Sequence, residues 1–129
     1  MTLVVDASLI AGLLLPDEAG IDPRALESED LVAPWLFWAE IRNILIVNER
    51  RGRLPEGFAE QMLDAVEALG IQLDSRPSEA AVLRLSRRHR LTIYDALYLE
   101  LALRLGAPLG SHDKALRHAA RAEGVPLAG

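Results

Sequence analysis

The sequence predicts an α/β fold in which a central parallel sheet is flanked by helices. Short runs rich in Val, Leu and Ile recur along the chain, and longer stretches with helical spacing separate them. This alternation is typical of strand–helix–strand units, whose parallel strands are covered on both faces. Glycine and proline stand at the ends of most helical stretches, where they act as stop signals. We therefore expect a doubly wound sheet of four to five strands.

Length and composition limit the kind of protein. A chain of 129 residues can bury one core and is short for two, so residues 1–129 are predicted to form a single domain. The lack of cysteine excludes disulfides, thiolate metal sites and cysteine nucleophiles. The apolar N-terminal stretch has no basic start and is interrupted by Asp6, which does not fit a signal peptide. No later run is long enough to span a bilayer, and we expect a cytoplasmic protein with no membrane partner.

Two strands and three helices are predicted up to Gly52. "LVV" is the first strand, and "ASLIAGLLL" continues as a helix that Pro16 stops. "DPRALESE" is predicted as a short helix entered through Asp22 and Pro23. "DLVA" is the second strand, and Pro34 opens the helix "PWLFWAEIRNILIVNERRG", which Gly52 closes.

Two more strands and four helices are predicted in the remainder. An amphipathic helix runs from about Pro55 to Leu69, and "IQLDS" is the third strand. "SEAAVLRLSRRH" is a helix, and the next helix extends from about Ile93 to Leu105. "PLGS" is the fourth strand, "DKALRHAARAE" is the last helix, and "VPL" is expected to add a short edge strand.

Four carboxylates interrupt the apolar pattern. Asp6 ends the first strand and Asp113 follows the fourth, and open parallel sheets bind ligands beyond the carboxyl ends of their strands. Glu40 and Asp95 lie inside otherwise apolar helices, where an uncompensated charge is costly. Each acid also has a purely structural explanation, because Asp6 and Asp113 could cap helices, Asp95 could complete a capping box with Thr92, and Glu40 could pair with an arginine.

The four acids together favour a metal site. Their carboxylates would repel one another and raise each other's pKa unless a cation lay between them. Mg²⁺ is the expected ion and Mn²⁺ the alternative, since both prefer oxygen ligands and are held by carboxylates together with substrate phosphate. Without cysteine or a histidine pair at helical spacing, zinc fits poorly. At Asp95 the positive end of the helix dipole is expected to favour the ionised form that a ligand needs.

Such a site predicts hydrolysis of a phosphodiester by a metal-activated water. Arginines cluster in "NERRGR" and "RLSRRHR", and arginine suits phosphate recognition. The net charge of -5 argues against a constitutive nucleic-acid binder. Ser111, His112 and Asp113 are adjacent, but neighbours on an extended chain point to opposite faces and cannot form a catalytic triad.

Four segments of the chain resemble the PIN-domain proteins, and specifically the VapC-type toxins of toxin–antitoxin pairs. The segments are "VVDAS", "WAEIRN", "YDALYLELALRLGAPL" and "SHDKAL", in this order and over essentially the whole chain. The resemblance implies a doubly wound domain with an acidic Mg²⁺ site. By motif, the ligands and catalytic acids would be Asp6, Glu40, Asp95 and Asp113.

The resemblance also implies supporting residues and an activity. Ser8 matches the small hydroxyl residue after the first acid and Ser111 the one before the last, while Asn43 shares a helix face with Glu40. Members of the family are endoribonucleases, often acting on structured RNA such as transfer RNA. They are dimeric and are silenced by a cognate antitoxin. We therefore expect an RNA substrate, an antitoxin partner and a homodimer.

Two other functions remain open at this point. One is a nuclease of the same fold that processes RNA or cleaves structured DNA without a toxin role. The other is a binding module that is not an enzyme, in which all four acids are caps or ion-pair partners.

Two positions depart from the family pattern, and one aromatic cluster has no assigned role. Gly110 stands where a larger apolar residue is expected, which would allow a close approach, and His112 is expected to face solvent. Trp35, Phe37 and Trp38 are expected mainly in the core, with dimerisation or antitoxin binding as the alternative use of this surface.

Overall fold

The computed structural model describes residues 1–15, 26–27 and 29–128. The start of the predicted helix at Asp22 and Pro23, and the stop at Pro16, lie outside this part of the chain. Its elements, in chain order, are β1 (Thr2–Val5), α1 (Ala7–Leu14), β2 (Asp30–Pro34), α2 (Phe37–Arg50), α3 (Phe58–Ala68), β3 (Gln72–Asp74), α4 (Glu79–His89), α5 (Ile93–Leu105), β4 (Leu109–Gly110) and α6 (Lys114–Ala122).

The four strands form one parallel sheet in the order β3-β2-β1-β4. The predicted α/β architecture with a central parallel sheet is therefore confirmed. Leu109 also makes an isolated parallel bridge with Leu127, at the place of the predicted edge strand. Strands β2 and β3 lie on one side of β1, and β4 lies on the other side of β1. The carboxyl ends of β1 and β4 thus meet where the strand order reverses, which is the usual ligand position in such sheets.

Helix α5 has the predicted bounds, whereas α2 begins later than predicted. Pro34 ends β2 instead of opening the helix, because the next residue is still paired with the neighbouring strand: the amide of Trp35 donates to the carbonyl of Asp74 at 2.9 Å. Helix α3 begins at Phe58 instead of Pro55. Gly57 precedes it with a φ of 86°, and this left-handed conformation cannot be part of a right-handed helix.

The core lies between the sheet and α5, which is buried from Ala96 to Ala102. Within α5, buried Glu100 accepts a hydrogen bond from Arg104 Nε at 2.7 Å and one from the amide of Ser78 at 3.2 Å. Arg104 also donates to Asp74 at 2.6 Å. This network ties the edge strand β3 and the start of α4 to the central helix. None of the helices in the described residues combines the length and hydrophobicity needed to cross a membrane.

Candidate active site

A cavity of about 170 Å³ lies at the carboxyl end of β1 and brings the four predicted acids together. Asp6 follows β1, and its amide donates to the carbonyl of Gly110 in β4 at 3.0 Å, so the two strand ends are held side by side. The other acids come from α2, the first turn of α5 and the start of α6. The cavity is lined by Asp6, Ala7, Ser8, Glu40, Ile44, Asp95, Tyr98 and Asp113.

Asp6 is buried, since it is only 4% exposed, and three hydrogen-bond donors hold its carboxylate in place. Its Oδ1 atom accepts from Ser8 Oγ at 2.7 Å and from the amide of Leu9 at 2.9 Å. Its Oδ2 atom accepts from Ser111 Oγ. Burial raises the pKa of Asp6, the three hydrogen bonds oppose this shift, and the charge of Asp113 adds to it. Asp6 is thus the N-cap of α1, as the structural explanation required, and also a wall of the cavity.

The two predicted supporting serines connect the loop after β4 to Asp6. Ser8 Oγ accepts from the amide of His112 at 3.0 Å, and Ser111 Oγ accepts from the amide of Asp113 at 3.0 Å. Arg117, which the sequence analysis did not single out, donates from Nη1 to the carbonyl of Ser111 at 3.0 Å. Each hydroxyl therefore accepts from one loop amide and donates to Asp6, which fixes the direction of both hydrogen bonds.

Asp113 is exposed and, like Asp6, it both caps a helix and lines the cavity. Its Oδ1 atom accepts from the amide of Leu116 at 2.8 Å, which makes it the N-cap of α6. The same side chain lines the cavity. A cap bond occupies one lone pair of one oxygen, so capping leaves the other oxygen available to a ligand.

Asp95 lies in the first turn of α5, where Thr92 is the N-cap. The amide of Asp95 donates to Thr92 Oγ1 at 3.1 Å. The pKa of Asp95 is raised to about 6, first by burial and then by the charges of Asp113, Glu40 and Asp6. Burial and the neighbouring acids therefore disfavour the ionised form of Asp95, in opposition to the effect expected from the helix dipole. Near pH 7 Asp95 is still mostly ionised, but at a free-energy cost.

Glu40 projects from α2 into the same cavity and is half-buried. Tyr98 in α5 donates to its Oε1 atom at 2.6 Å. Burial raises the pKa of Glu40, the hydrogen bond from Tyr98 opposes the shift, and the charge of Asp6 adds to it. Tyr98 was not predicted as a site residue, although its position three residues after Asp95 places both on one face of α5.

Three further residues near the site can now be placed. Asn43 is exposed and does not line the cavity; the lining residue after Glu40 on α2 is Ile44, because a spacing of four brings it back to the same face. His112 is exposed, as expected. Gly110 does accommodate a close approach, since a Cβ atom there would lie 2.7 Å from Leu9 Cδ2.

The donor set suits a hard divalent cation. Among the described residues, the four charged side chains that line the cavity are all carboxylates, the ligand type that Mg²⁺ and Mn²⁺ prefer. Burial and mutual repulsion raise the pKa of Asp6, Glu40 and Asp95, and a cation would offset that cost. Within the part of the chain that the structure describes, no three acidic or histidine side chains already stand in an arrangement able to hold an ion. Metal binding would therefore require the carboxylate side chains to move closer together around the ion.

A second concavity, here named the α2–α3 groove, lies away from the acids and has a volume of about 540 Å³. Phe37 is buried at this groove, but Trp38 is 56% exposed, and the Arg42 guanidinium lies 3.9 Å from the centre of its ring. Trp35 is also exposed. The expectation of a mainly core role is thus correct for Phe37 and wrong for the two tryptophans: Trp38 lies on an exposed face of α2, and Trp35 precedes this helix.

Comparison with known proteins connects this geometry to a family. The family model described as PIN domain matches residues 3–122. Ribonuclease VapC3 of Pyrobaculum aerophilum is 35% identical over 126 residues, covering 90% of this chain and 92% of the relative. Ribonuclease VapC1 of Mycobacterium tuberculosis is 36% identical over 129 residues, covering 95% of this chain and 92% of the relative.

Solved structures share the architecture. The crystal structure of PAE2754 from Pyrobaculum aerophilum superposes with a TM-score of 0.76 at 25% identity, covering 92% of this chain and 84% of that one. FitAcB from Neisseria gonorrhoeae superposes with a TM-score of 0.64 at 18% identity, covering 98% of this chain and 96% of that one. At that identity the second likeness concerns the fold alone.

Proposed function

Because this chain belongs to the PIN-domain family, we propose that it is a Mg²⁺-dependent endoribonuclease and the toxin of a toxin–antitoxin pair in the cytoplasm, with residues 1–129 as one nuclease domain. The two relatives compared above are named ribonucleases. The observation that carries the proposal is the convergence of four carboxylates, from four separate segments, on one cavity at the switch point of the sheet.

The proposed metal ligands are Asp6, Glu40, Asp95 and Asp113, with Mg²⁺ as the ion and Mn²⁺ as a substitute. When bound, the ion lowers the pKa of water and neutralises charge that develops on the phosphodiester. The protein orients the ligands: Ser8 and Ser111 hold the two oxygens of Asp6. Without a cation the cluster repels phosphate, so the metal and the substrate are expected to bind together.

The test of the nuclease is cleavage of RNA by purified protein. Mg²⁺ should support cleavage, EDTA should abolish it, and Asp6→Asn should reduce it by at least about 100-fold, since it removes a ligand charge. Asp30→Asn is the matched control, because Asp30 is exposed at the opposite end of the sheet, where β2 begins. Cleavage that persists both in EDTA and in Asp6→Asn would contradict the metal mechanism. Cleavage of DNA but not of RNA would favour the alternative of a DNA nuclease.

The toxin role requires a separate test in cells. Expression of the wild-type chain should arrest growth, and expression of Asp6→Asn should not. Co-expression with the product of a neighbouring small gene should restore growth. Normal growth of cells that contain active, soluble nuclease would contradict the toxin role and leave an RNA-processing role.

The α2–α3 groove supports the proposal of a protein partner. Its apolar part includes exposed Trp38, and its rim carries Glu60, Asp64 and Glu67 from α3 beside Arg42 from α2. An antitoxin segment with apolar and basic residues would match this surface. A homodimer is the other proposed assembly. Sedimentation of the chain alone and with its antitoxin would measure both, and Trp38→Ala should weaken only the contact that uses the groove.

A further inference from the structure

Tyr98 is a buried tyrosine whose hydroxyl reaches the acidic cavity. It is 1% exposed, and its ring lies within the apolar part of α5. Tyr98 lines the cavity, and its hydroxyl donates to Glu40 Oε1 at 2.6 Å, which joins α5 to α2. A leucine or phenylalanine would fill the same apolar position without a polar atom, so the hydroxyl needs its own explanation.

The direction of this hydrogen bond is fixed by its surroundings. An ionised carboxylate only accepts, so the hydroxyl donates. Burial, the hydrogen bond to Glu40 and the charges of Glu40 and Asp6 raise the pKa of Tyr98 far above its usual range, while the amide of Ala7 acts weakly in the other sense. The hydroxyl is therefore protonated at neutral pH and remains a donor.

Tyr98 supplies the hydrogen bond that orients the Glu40 carboxylate. Asp6 is held by three donors, and Asp113 is held by a helix amide. Glu40 has a longer side chain with one more rotatable bond, and Tyr98 is the side-chain partner that holds it within the described residues. A bond to Oε1 orients the carboxylate and leaves Oε2 free for a ligand in the cavity.

From this geometry we infer that Tyr98 is a positioning residue, which holds the Glu40 carboxylate in the orientation needed for metal binding. The inference rests on the proposed function, because it gives Glu40 its role. Tyr98 acts through Glu40 and does not touch the substrate.

The experiment compares Tyr98→Phe with the wild type, because phenylalanine keeps the ring and removes only the donor. Binding of Mn²⁺, followed by electron paramagnetic resonance, should weaken by roughly 10-fold, and RNA cleavage should fall by a similar factor, as for other residues that orient metal ligands. Tyr94→Phe is the matched control, because Tyr94 is an exposed tyrosine one turn earlier in α5 and should leave both quantities unchanged.

A double-mutant cycle separates positioning from packing. In a Glu40→Ala background, Tyr98→Phe should change Mn²⁺ affinity less than about 2-fold, since its target has been removed. Glu40→Asp, which withdraws the carboxylate from the hydroxyl without altering the core, should lose Mn²⁺ affinity as Tyr98→Phe does. An undiminished effect of Tyr98→Phe in the Glu40→Ala background would assign Tyr98 to packing and overturn the inference.

A measurement on metal-free protein distinguishes this inference from the proposed function. The carboxyl carbon signal of Glu40 in ¹³C-labelled protein, assigned with Glu40→Gln, should move in Tyr98→Phe and remain in place in Tyr94→Phe. A signal that stays in place in Tyr98→Phe would overturn the positioning role even in an active nuclease. A signal that moves in a protein unable to bind Mn²⁺ or cleave RNA would leave the contact intact and refute the nuclease.

Discussion

The Ser111 hydroxyl donates a hydrogen bond to Asp6 Oδ2 between residues that are 105 positions apart in the chain. Because Ser111 follows β4 and Asp6 follows β1, this bond joins the two strand ends at the point where the strand order reverses. It also supplies one of three hydrogen bonds that oppose the rise in the pKa of Asp6 caused by burial. The contact therefore links the topology of the sheet to the charge state of its central acid.

Replacing this serine should reduce both activity and stability. Ser111→Ala removes a hydrogen bond to a charged group, which contributes about 1.5–3 kcal/mol, and should raise the pKa of Asp6 further. RNA cleavage at neutral pH should fall roughly 10- to 100-fold, and Ser111→Thr should restore part of it.

A matched control for this change is Ser86→Ala. The Ser86 hydroxyl donates to the carbonyl of Leu91 at 2.7 Å and does not line the cavity. This variant should lose about 1 kcal/mol of stability, measured by urea denaturation, because its hydrogen bond joins uncharged groups, and it should keep full cleavage. Wild-type cleavage by Ser111→Ala would show that the serine is not needed to orient Asp6.

Asp95→Asn should make the metal-free protein more stable at neutral pH. The pKa of Asp95 rises from 3.8 to about 6 on folding, so the folded state binds more protons than the unfolded state between these values. Stability therefore falls as pH rises through this window. At pH 7.5 in EDTA, the melting temperature of Asp95→Asn should exceed that of the wild type by roughly 2–5 °C, and the difference should vanish near pH 4.

Asp74→Asn is the control with the opposite sign. Hydrogen bonding to Arg104 lowers the pKa of Asp74, so its ionised form stabilises the fold at neutral pH, and that stability is lost as pH falls through the lowered pKa. Asp74→Asn should therefore be less stable than the wild type at pH 7.5. If Asp95→Asn is also less stable than the wild type at that pH, the Asp95 carboxylate stabilises the start of α5 as part of a cap. Repulsion from the other three acids would then not dominate at this position.

Mg²⁺ should stabilise the protein by mass action. An ion that binds only the folded state contributes about 2.7 kcal/mol at 100 times its dissociation constant, which should raise the melting temperature by roughly 10 °C for a domain of this size. Asp6→Asn should lose most of that rise, while Asp30→Asn should keep it. An equal rise in both variants, or the same rise with NaCl at matched ionic strength, would assign the effect to general screening.

The sequence predicted those parts of the fold that depend on local signals. Helix α5 has the predicted bounds because Thr92 caps its start and Gly106, at a φ of 61°, ends it. The start of α2 could not be predicted in the same way. Pro34 suits either a strand end or a first helical turn, and the choice is made by hydrogen bonds to β3, a strand that comes almost 40 residues later.

The acidic cluster was predictable because strand ends and helix starts are local features that the sheet gathers at one edge. The side chains that hold the acids are less visible. The contact between Tyr98 and Glu40 joins residues 58 positions apart. It forms only because α2 and α5 are brought together in the folded protein. Similarly, helical spacing alone did not reveal that Trp38 faces away from the sheet, because α2 carries apolar residues on more than one face.

The last prediction concerns stability away from the cavity. Arg104→Met should destabilise the fold by about 3 kcal/mol, because it leaves the carboxylate of Glu100, only 3% exposed, without its charged partner. Hydrogen bonds from Arg104 to Glu100 and Asp74 would be lost together. Cleavage per folded molecule should be unchanged, since Arg104 does not line the cavity.

Adding Glu100→Gln to Arg104→Met should recover part of the lost stability in urea denaturation, because the buried charge is then removed as well. The amide of Ser78 would keep an acceptor in the glutamine oxygen. A double variant no more stable than Arg104→Met would mean that the arginine stabilises the fold by joining β3 to α5 and not by neutralising Glu100. The comparison thus separates the two roles that one guanidinium has in this network.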